Sequence, residues 1–283
     1  MKDTSPKPSE MNLRKPKRVA LRAKIGMGVV AVYVIVAVFA PLLAPYGETD
    51  IVNRGYLGWS AEHWLGTDSL GRDLASRMIF GARNTVGIAL VTTVLTFALG
   101  VSFGMLAATR GGWIDQILSR IVDVIMSIPS LISALLMLTI FGTSVVVLVA
   151  IIAVLESTRV FRLARAVALG IVVQDYFEAA RMRKESSFYL IREEILPNIL
   201  PPLAVEFGLR FCFVFLFIAA LSFLGLGLQP PLADWGSMVR ENASLISFGI
   251  FTPLIPAAAI AVLTLAVNAV VDWYLDGSRL HRF

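Results

Sequence analysis

Charge is scarce in this chain. Asp, Glu, Lys and Arg make up only 16% of its 283 residues, against about 25% in ordinary soluble domains, while 57% are hydrophobic and mean hydropathy is +0.76. Thiols are scarcer still. Cys212 is the single cysteine and lies inside an apolar run, so no internal disulfide can form, the redox compartment cannot be read from cysteines, and its expected role is a small membrane-buried hydrophobe. The two histidines, His63 and His281, have no metal-ligand neighbour at useful spacing. No G-x-x-x-x-G-K-[ST] phosphate loop occurs, so any ATP that drives this chain has to be hydrolysed by another polypeptide. The net charge of +5 follows from basic residues beside apolar segments and gives no support to nucleic-acid binding.

What the sequence has in abundance is long apolar runs. They lie near Ile25–Ala44, Thr85–Thr109, Ile117–Phe141, Val145–Val160, Leu203–Leu224 and Phe251–Leu275, and each can cross a hydrocarbon core of about 30 Å as a helix. The expected fold class is therefore an all-α polytopic membrane protein with about six transmembrane helices and no separate soluble domain. A secretory signal peptide is the rival reading of the first run. That run exceeds the 7–15 residues of a signal core, and Pro41 follows directly after the small-residue pattern "AVFA", so a retained anchor is expected. Basic residues are dense before Arg22 and between Arg159 and Arg192, whereas the connection after Phe141 carries no charge. Both basic segments should face the cytoplasm, and with six crossings so should the carboxyl end, which carries Arg279 and Arg282.

The second basic segment holds "EAARMRKESSFYLIREEILPNILPP", Glu178 to Pro202. From Tyr176 to Glu194 no glycine or proline interrupts it, which predicts one or two short helices with a turn near Ser186 and Ser187. Ile195, Leu196 and Pro197 are expected to stop the pattern, with Pro201 and Pro202 at the start of the next membrane helix. Glu178 and Arg181 can pair across one helical face, for only a few tenths of a kcal/mol. Ala179 and Ala180 offer a small surface ringed by charge, suited to docking into a partner. A merely solvated amphipathic linker is the alternative.

Glu178, Ala179, Ala180 and then, at a fixed interval, Ile195, Leu196, Pro197 resemble the EAA loop of the integral membrane subunits of binding-protein-dependent ABC importers. The resemblance implies a coupling helix that inserts into a cleft of a cytoplasmic ATPase subunit. One residue departs from the family pattern: Lys184 stands where the family has glycine, which argues against a tight turn at that point but not against docking. Two further stretches, "HWLGTDSLGRDLASRMIFGAR" (63–83) and "LSFLGLGLQPPLADWGSMVRE" (221–241), resemble the peptide-type permeases, and the C-type subunit in particular. That likeness runs from about Ala40 through "NAVVDWYLD" to the end and leaves the basic amino-terminal tail uncovered.

The resemblance implies a type I importer permease fold in the bacterial cytoplasmic (inner) membrane. Residues 1–24 would then form a cytoplasmic tail, 25–45 the first transmembrane helix, 46–84 a periplasmic connection, 85–276 a five-helix core containing the EAA loop at 176–197, and 277–283 a second cytoplasmic tail. It also implies a homologous second permease subunit, two cytoplasmic ATPase subunits that bind ATP and Mg, and a periplasmic or lipid-anchored solute-binding protein. This chain would hold no cofactor and catalyse no reaction. Peptides are the expected substrates, with nickel, a sugar or an opine-like compound as alternatives within the same mechanism and a gradient-driven secondary transporter as the alternative outside it. The tail before Arg22, rich in Pro, Ser and Lys, reads as a mobile arm attracted to anionic membrane lipid.

Three groups of residues remain as candidates. In "GTDSLGRD", Asp68, Arg72 and Asp73 can form a charge cluster, Asp68 with Arg72 and Arg72 with Asp73, while Gly66 and Gly71 allow turns; this is an outer-face scaffold or a surface for the binding protein. The oxygen-ligand pattern of a calcium loop is absent from it. In "LGLGLQPPLADWG", Gly225 and Gly227 end a helix, Pro230 and Pro231 forbid its continuation, and Trp235 suits a membrane interface. Within the fifth run, Glu206 and Arg210 lie on one helical face, either as a structural ion pair near the cytoplasmic boundary or as part of a pathway or gate.

Overall fold

The computed structural model describes residues 21–279, with side chains to residue 275, and the amino-terminal tail expected to be a lipid-attracted arm lies outside the described residues. The described chain is mostly helical, with irregular connections at 44–73 and 224–234 and no strand among the described residues beyond two isolated bridges. In order, the helices are α1 (Leu21–Val38), α2 (Ala40–Leu43), α3 (Leu74–Gly81), α4 (Gly87–Arg110), α5 (Gly112–Met126), α6 (Ser130–Phe141), α7 (Val145–Val172), α8 (Asp175–Met182), α9 (Ser187–Tyr189), α10 (Leu196–Phe223), α11 (Trp235–Asn242) and α12 (Leu254–Arg279). Short π-helical segments, Ala82–Val86 and Leu190–Ile195, splice α3 to α4 and α9 to α10.

Four segments are long and apolar enough to cross a membrane: Leu21–Val38, Leu74–Arg110, Ser187–Phe223 and Leu254–Leu275. Two of them, at 37 residues each, reach about 55 Å at 1.5 Å per residue and must project well beyond a core of about 30 Å. The expected span Ile117–Phe141 is not one straight helix, because α5 and α6 meet at 86°. Pro129 accounts for the break: it biases Ile128 away from helical backbone and cannot donate into the preceding turn. The fourth expected run is α7, longer than expected at 28 residues and carrying Glu156, Arg159, Arg162 and Arg165.

The closest packing joins α4 to α7, and glycine makes it possible. A Cβ on Gly100 would stand 2.7 Å from the Ser157 carbonyl oxygen, and one on Gly104 2.8 Å from that of Phe161 and 2.9 Å from the Ala164 Cβ. This Gly-x-x-x-Gly stripe is the small-residue contact by which helices associate in lipid, where no hydrophobic force distinguishes a neighbouring helix from acyl chains. The same logic seats α1 on α12, since a Cβ on Gly26 would meet the Ala266 carbonyl oxygen at 2.7 Å. One core gathers α6, α7, α10 and α12 around Leu138, Ile152, Phe215 and Leu263; a second lies where α4, α7 and α10 meet the segment after α7. Replacing Gly104 by Ala should cost about 1–3 kcal/mol through overpacking, and Gly104→Leu should prevent accumulation of the folded protein. Thermal unfolding of the detergent-purified chain, followed by fluorescence-detected size exclusion, reads both effects.

Candidate functional site

The first candidate is the segment between α7 and α10. Helix α8 is short and amphipathic: Phe177 and Ala180, three apart, are buried against Ala164 and Ala168 of α7, Met105 and Ala108 of α4, and Leu190, Ile195 and Ile199. The other face, with Tyr176, Glu178, Ala179, Arg181 and Met182, is exposed. Ala179 is therefore free to meet a partner, but Ala180 is not. The expectation that both alanines form one presented surface is corrected by the period of the helix, which turns Ala180 inward with Phe177. Glu178 and Arg181 form no ion pair among the described residues, as the small energy of such an exposed contact permits.

Lys184 ends α8 in a conformation that glycine would normally supply. Its φ is +61°, the Lys184 N–H donates to the Arg181 carbonyl at 2.9 Å, and the Glu185 N–H donates to the Ala180 carbonyl at 3.4 Å. These are the two bonds of a Schellman cap with lysine at its left-handed position. The tight turn that lysine argued against is present, because the two satisfied carbonyls and the buried Ala180 outweigh a backbone cost of about 1–2 kcal/mol. The turn falls at residues 183–186, slightly before the expected Ser186 and Ser187, and Ser186 instead caps α9 by accepting the Tyr189 N–H at 3.2 Å. Ile195 is buried, and Leu196 and Pro197 open α10 where a stop was expected. Pro197 follows directly on the π-helical segment, and the continuous helical run Ser187–Phe223 passes through it and through Pro201 and Pro202.

The second candidate sits at the opposite ends of α4 and α10. Asp68 accepts from the Leu70 and Arg72 amides through Oδ1 (2.8 and 2.9 Å), and through Oδ2 from Arg72 Nε (2.7 Å) and Arg77 Nη1 (2.6 Å). Glu241 of α11 lies 3.7 Å from Arg72 and 3.6 Å from Arg77. Burial raises the Glu241 carboxyl above its usual range, partly offset by Arg72. Gly66 and Gly71 have φ of +78° and +81°, and a Cβ on either would collide with the Leu57 or Asn53 carbonyl oxygen.

The expected Arg72–Asp73 pair does not form. Asp73 caps α3 by accepting the Ser76 N–H at 2.8 Å and takes His63 Nδ1 at 3.0 Å, so its oxygens are spent locally. Asp68, Arg72 and Asp73 are all buried, and their side chains hold the chain together and are not offered to a binding protein. The second motif packs on the first. Asp234 caps α11 through the Ser237 N–H (2.8 Å) and accepts from Thr85 in the first π-helical segment (3.0 Å). Gly225, at φ +90°, follows the end of α10 as expected. Trp235, expected at a membrane interface, is buried: its Nε1–H donates to the Met78 carbonyl at 3.0 Å, and Tyr33 and Phe215 meet it edge-on. Arg77, Thr85, Asp234 and Glu241 were not singled out in the sequence, because their partners lie up to 169 positions away in a chain where only local spacing can be read.

The third candidate is ionic and lies between the two longest single helices. Glu206 pairs with Arg210, Nε to Oε1 at 3.0 Å, but Arg210 is also held by Glu156 of α7, Nη1 to Oε2 at 2.8 Å. Glu156 in turn takes Arg159 Nη1 with both oxygens at 2.8 Å. Two acids and two bases thus neutralise one another inside the helix bundle. About 20 Å of helix separates Arg210 from Phe223, and a similar length separates Arg159 from Val145, so both lie within the helical runs and not at their tips. Farther along α7, Arg162 pairs with Asp123 of α5 at 2.7 Å and Arg165 with Asp115. In the sequence these arginines signal only a cytoplasmic flank.

Asp68→Asn should leave Arg77, whose Nε already lacks a partner, with only the longer 3.6 Å contact to Glu241, and cost about 3 kcal/mol, seen as a lower thermal midpoint of the purified protein. Lys184→Gly should work in the opposite direction, raising the protection of α8 amides from hydrogen exchange by about 1 kcal/mol.

Comparison with known proteins agrees with this geometry. Residues 100–277 match the family described as binding-protein-dependent transport system inner membrane component, and residues 22–57 match the N-terminal TM domain of oligopeptide transport permease C. A dipeptide transport system permease protein of Alkalihalophilus pseudofirmus is 36% identical over 90% of this chain and 84% of its own length. A glutathione transport system permease protein of Pectobacterium atrosepticum is 32% identical over 87% and 83%, and a di/tripeptide transport system permease protein of Pseudomonas aeruginosa 34% identical over 86% and 82%. Among solved structures, an amino acid ABC transporter with histidines superposes with a TM-score of 0.50 over 70% of this chain and 92% of that one, at 24% identity, which shows a shared fold. The chain belongs to the inner membrane components of binding-protein-dependent transport systems and, among them, to the C-type permease subunits of the peptide-type ABC importers.

Proposed function

We propose that this permease subunit forms one half of a peptide pathway, paired with a homologous second permease, driven by two cytoplasmic ATPase subunits and supplied by an external solute-binding protein. The observation that carries the reading is the mounting of α8. One face of it is exposed, while Phe177 and Ala180 on the other fix it to α4, α7 and α10 in one buried cluster. A push on the exposed face is therefore delivered to three membrane helices together. ATP and Mg belong to the partners, and this chain's part is conformational: closure of the ATPase pair and arrival of the loaded binding protein each favour one arrangement of the helices through contacts that differ between the two. Both termini are cytoplasmic in this reading, with Arg22 and Lys24 on the same side as α8. The peptide substrate follows from the relatives, whose names specify dipeptides, di/tripeptides and glutathione.

Co-purification of the chain with the subunits encoded beside it, followed by ATPase assay with and without peptide-loaded binding protein, tests the reading. A complex with an ATPase and a second permease whose hydrolysis rises with loaded protein is expected. A chain that purifies alone and moves solute in vesicles without ATP would replace it with the gradient-driven alternative. Within the complex, Ala179→Asp should abolish capture of the ATPase subunit while leaving the permease folded, because Ala179 is exposed. Ala180→Asp should instead unfold the loop by burying a charge. Equal capture by the Ala179→Asp variant and the parent would contradict the docking face.

A further inference from the structure

Of the two cations between α7 and α10, Arg159 is the one with donors left free among the described residues. Arg210 is nearly enclosed and held by Glu156 and Glu206 together. Arg159 spends one nitrogen, Nη1, on Glu156, and its Nε and Nη2 make no hydrogen bond among the described residues. Its side chain is 44% exposed although it stands in the middle of a 28-residue helix. A guanidinium there cannot face lipid cheaply, so this side of α7 turns towards water or polar matter.

The place it faces is a concavity. The 86° bend between α5 and α6 opens a cavity of about 90 Å³, with Met126, Pro129 and Ser130 on one wall and Thr158 and Arg159 on the other. That volume accommodates a terminal carboxylate and little more. The Nε and Nη2 edge of arginine presents two parallel N–H groups, the arrangement that matches the two oxygens of a carboxylate. Glu156 stays satisfied while that edge is occupied, because its Oε2 also accepts from Arg210.

We infer that Arg159, at the elbow between α5 and α6, is the intramembrane contact for the free α-carboxylate of the transported peptide. The inference rests on the peptide-importer reading and adds a residue and a chemical group to it. A contact with the one carboxylate that every unmodified peptide carries imposes no side-chain preference, which leaves selection among peptides to the binding protein.

The test uses the complete importer in proteoliposomes, with Cys212→Ala removing the one native thiol. In that background Ser130→Cys, on the wall facing Arg159 and with the arginine kept, is exposed to a membrane-impermeant methanethiosulfonate, with empty binding protein and with protein loaded with trialanine. The expected result is labelling that trialanine slows about tenfold, the equivalent of one charge-assisted hydrogen bond. Met126→Cys on the same wall should show the same protection if Ser130→Cys does not fold. In parallel, Arg159→Lys keeps the charge beside Glu156 but loses the fork, so trialanine transport should fall about tenfold while stimulation of ATPase by loaded binding protein persists. A thiol that is never labelled, labelling that trialanine does not slow, or wild-type transport by Arg159→Lys would each overturn the assignment. If the Cys212→Ala parent itself shows no peptide-stimulated ATPase, the importer reading fails along with it.

Discussion

A charge placed inside a membrane helix has to be neutralised by another charge, and much of this structure is arranged around that requirement. Glu156, Arg159, Glu206 and Arg210 satisfy one another across α7 and α10, which fixes the two helices in rotation as well as in distance. Removing one partner would leave a buried charge uncompensated, a far larger penalty than losing the pair as a whole. The next two arginines of α7 repeat the solution with acids from α5, and so tie the bent α5–α6 element to the same helix. Neutrality here is local, pair by pair, and no run of acids suggests a proton path.

Around that ionic centre the two 37-residue helical runs act as rods longer than the membrane is thick. They lie antiparallel, so each end of the bundle receives an overhang from both. At one end Arg110 donates to Ser187 at 2.9 Å beside the α8 cluster; at the other Thr85 donates to Asp234 beside the Asp68–Arg72–Arg77 cluster. Both splices are π-helical, and that register frees side chains for such contacts at the cost of regular hydrogen bonding. The cluster around α8 and the cluster around α11 are therefore joined by continuous helices that run the length of the bundle.

The membrane class and most of the spans were legible in the sequence, because apolar runs of that length have no other stable use. The 86° break was not taken up, although Pro129 within the run was a visible signal for it. The short helices between α7 and α10 were legible from the absence of glycine and proline, but the orientation of α8 required the three-residue spacing of Phe177 and Ala180 to be weighed against the pattern of the alanines. Lys184 shows the limit of residue preference: two backbone hydrogen bonds and a buried methyl hold lysine in a conformation that propensity assigns to glycine. The ion network was half legible. Glu206 and Arg210 sit on one helical face, whereas Glu156 is 54 positions from Arg210 and only tertiary packing brings it there.

The most direct measurement is a single-particle structure of the assembled complex in nanodiscs, purified through this chain and imaged with its loaded binding protein. The account predicts α8 seated by its Tyr176, Ala179 and Met182 face in a cleft of an ATPase subunit, with Arg159 open to the cavity at the elbow between α5 and α6. An α8 left in solvent, or an Arg159 sealed against lipid or against the partner permease, would contradict it.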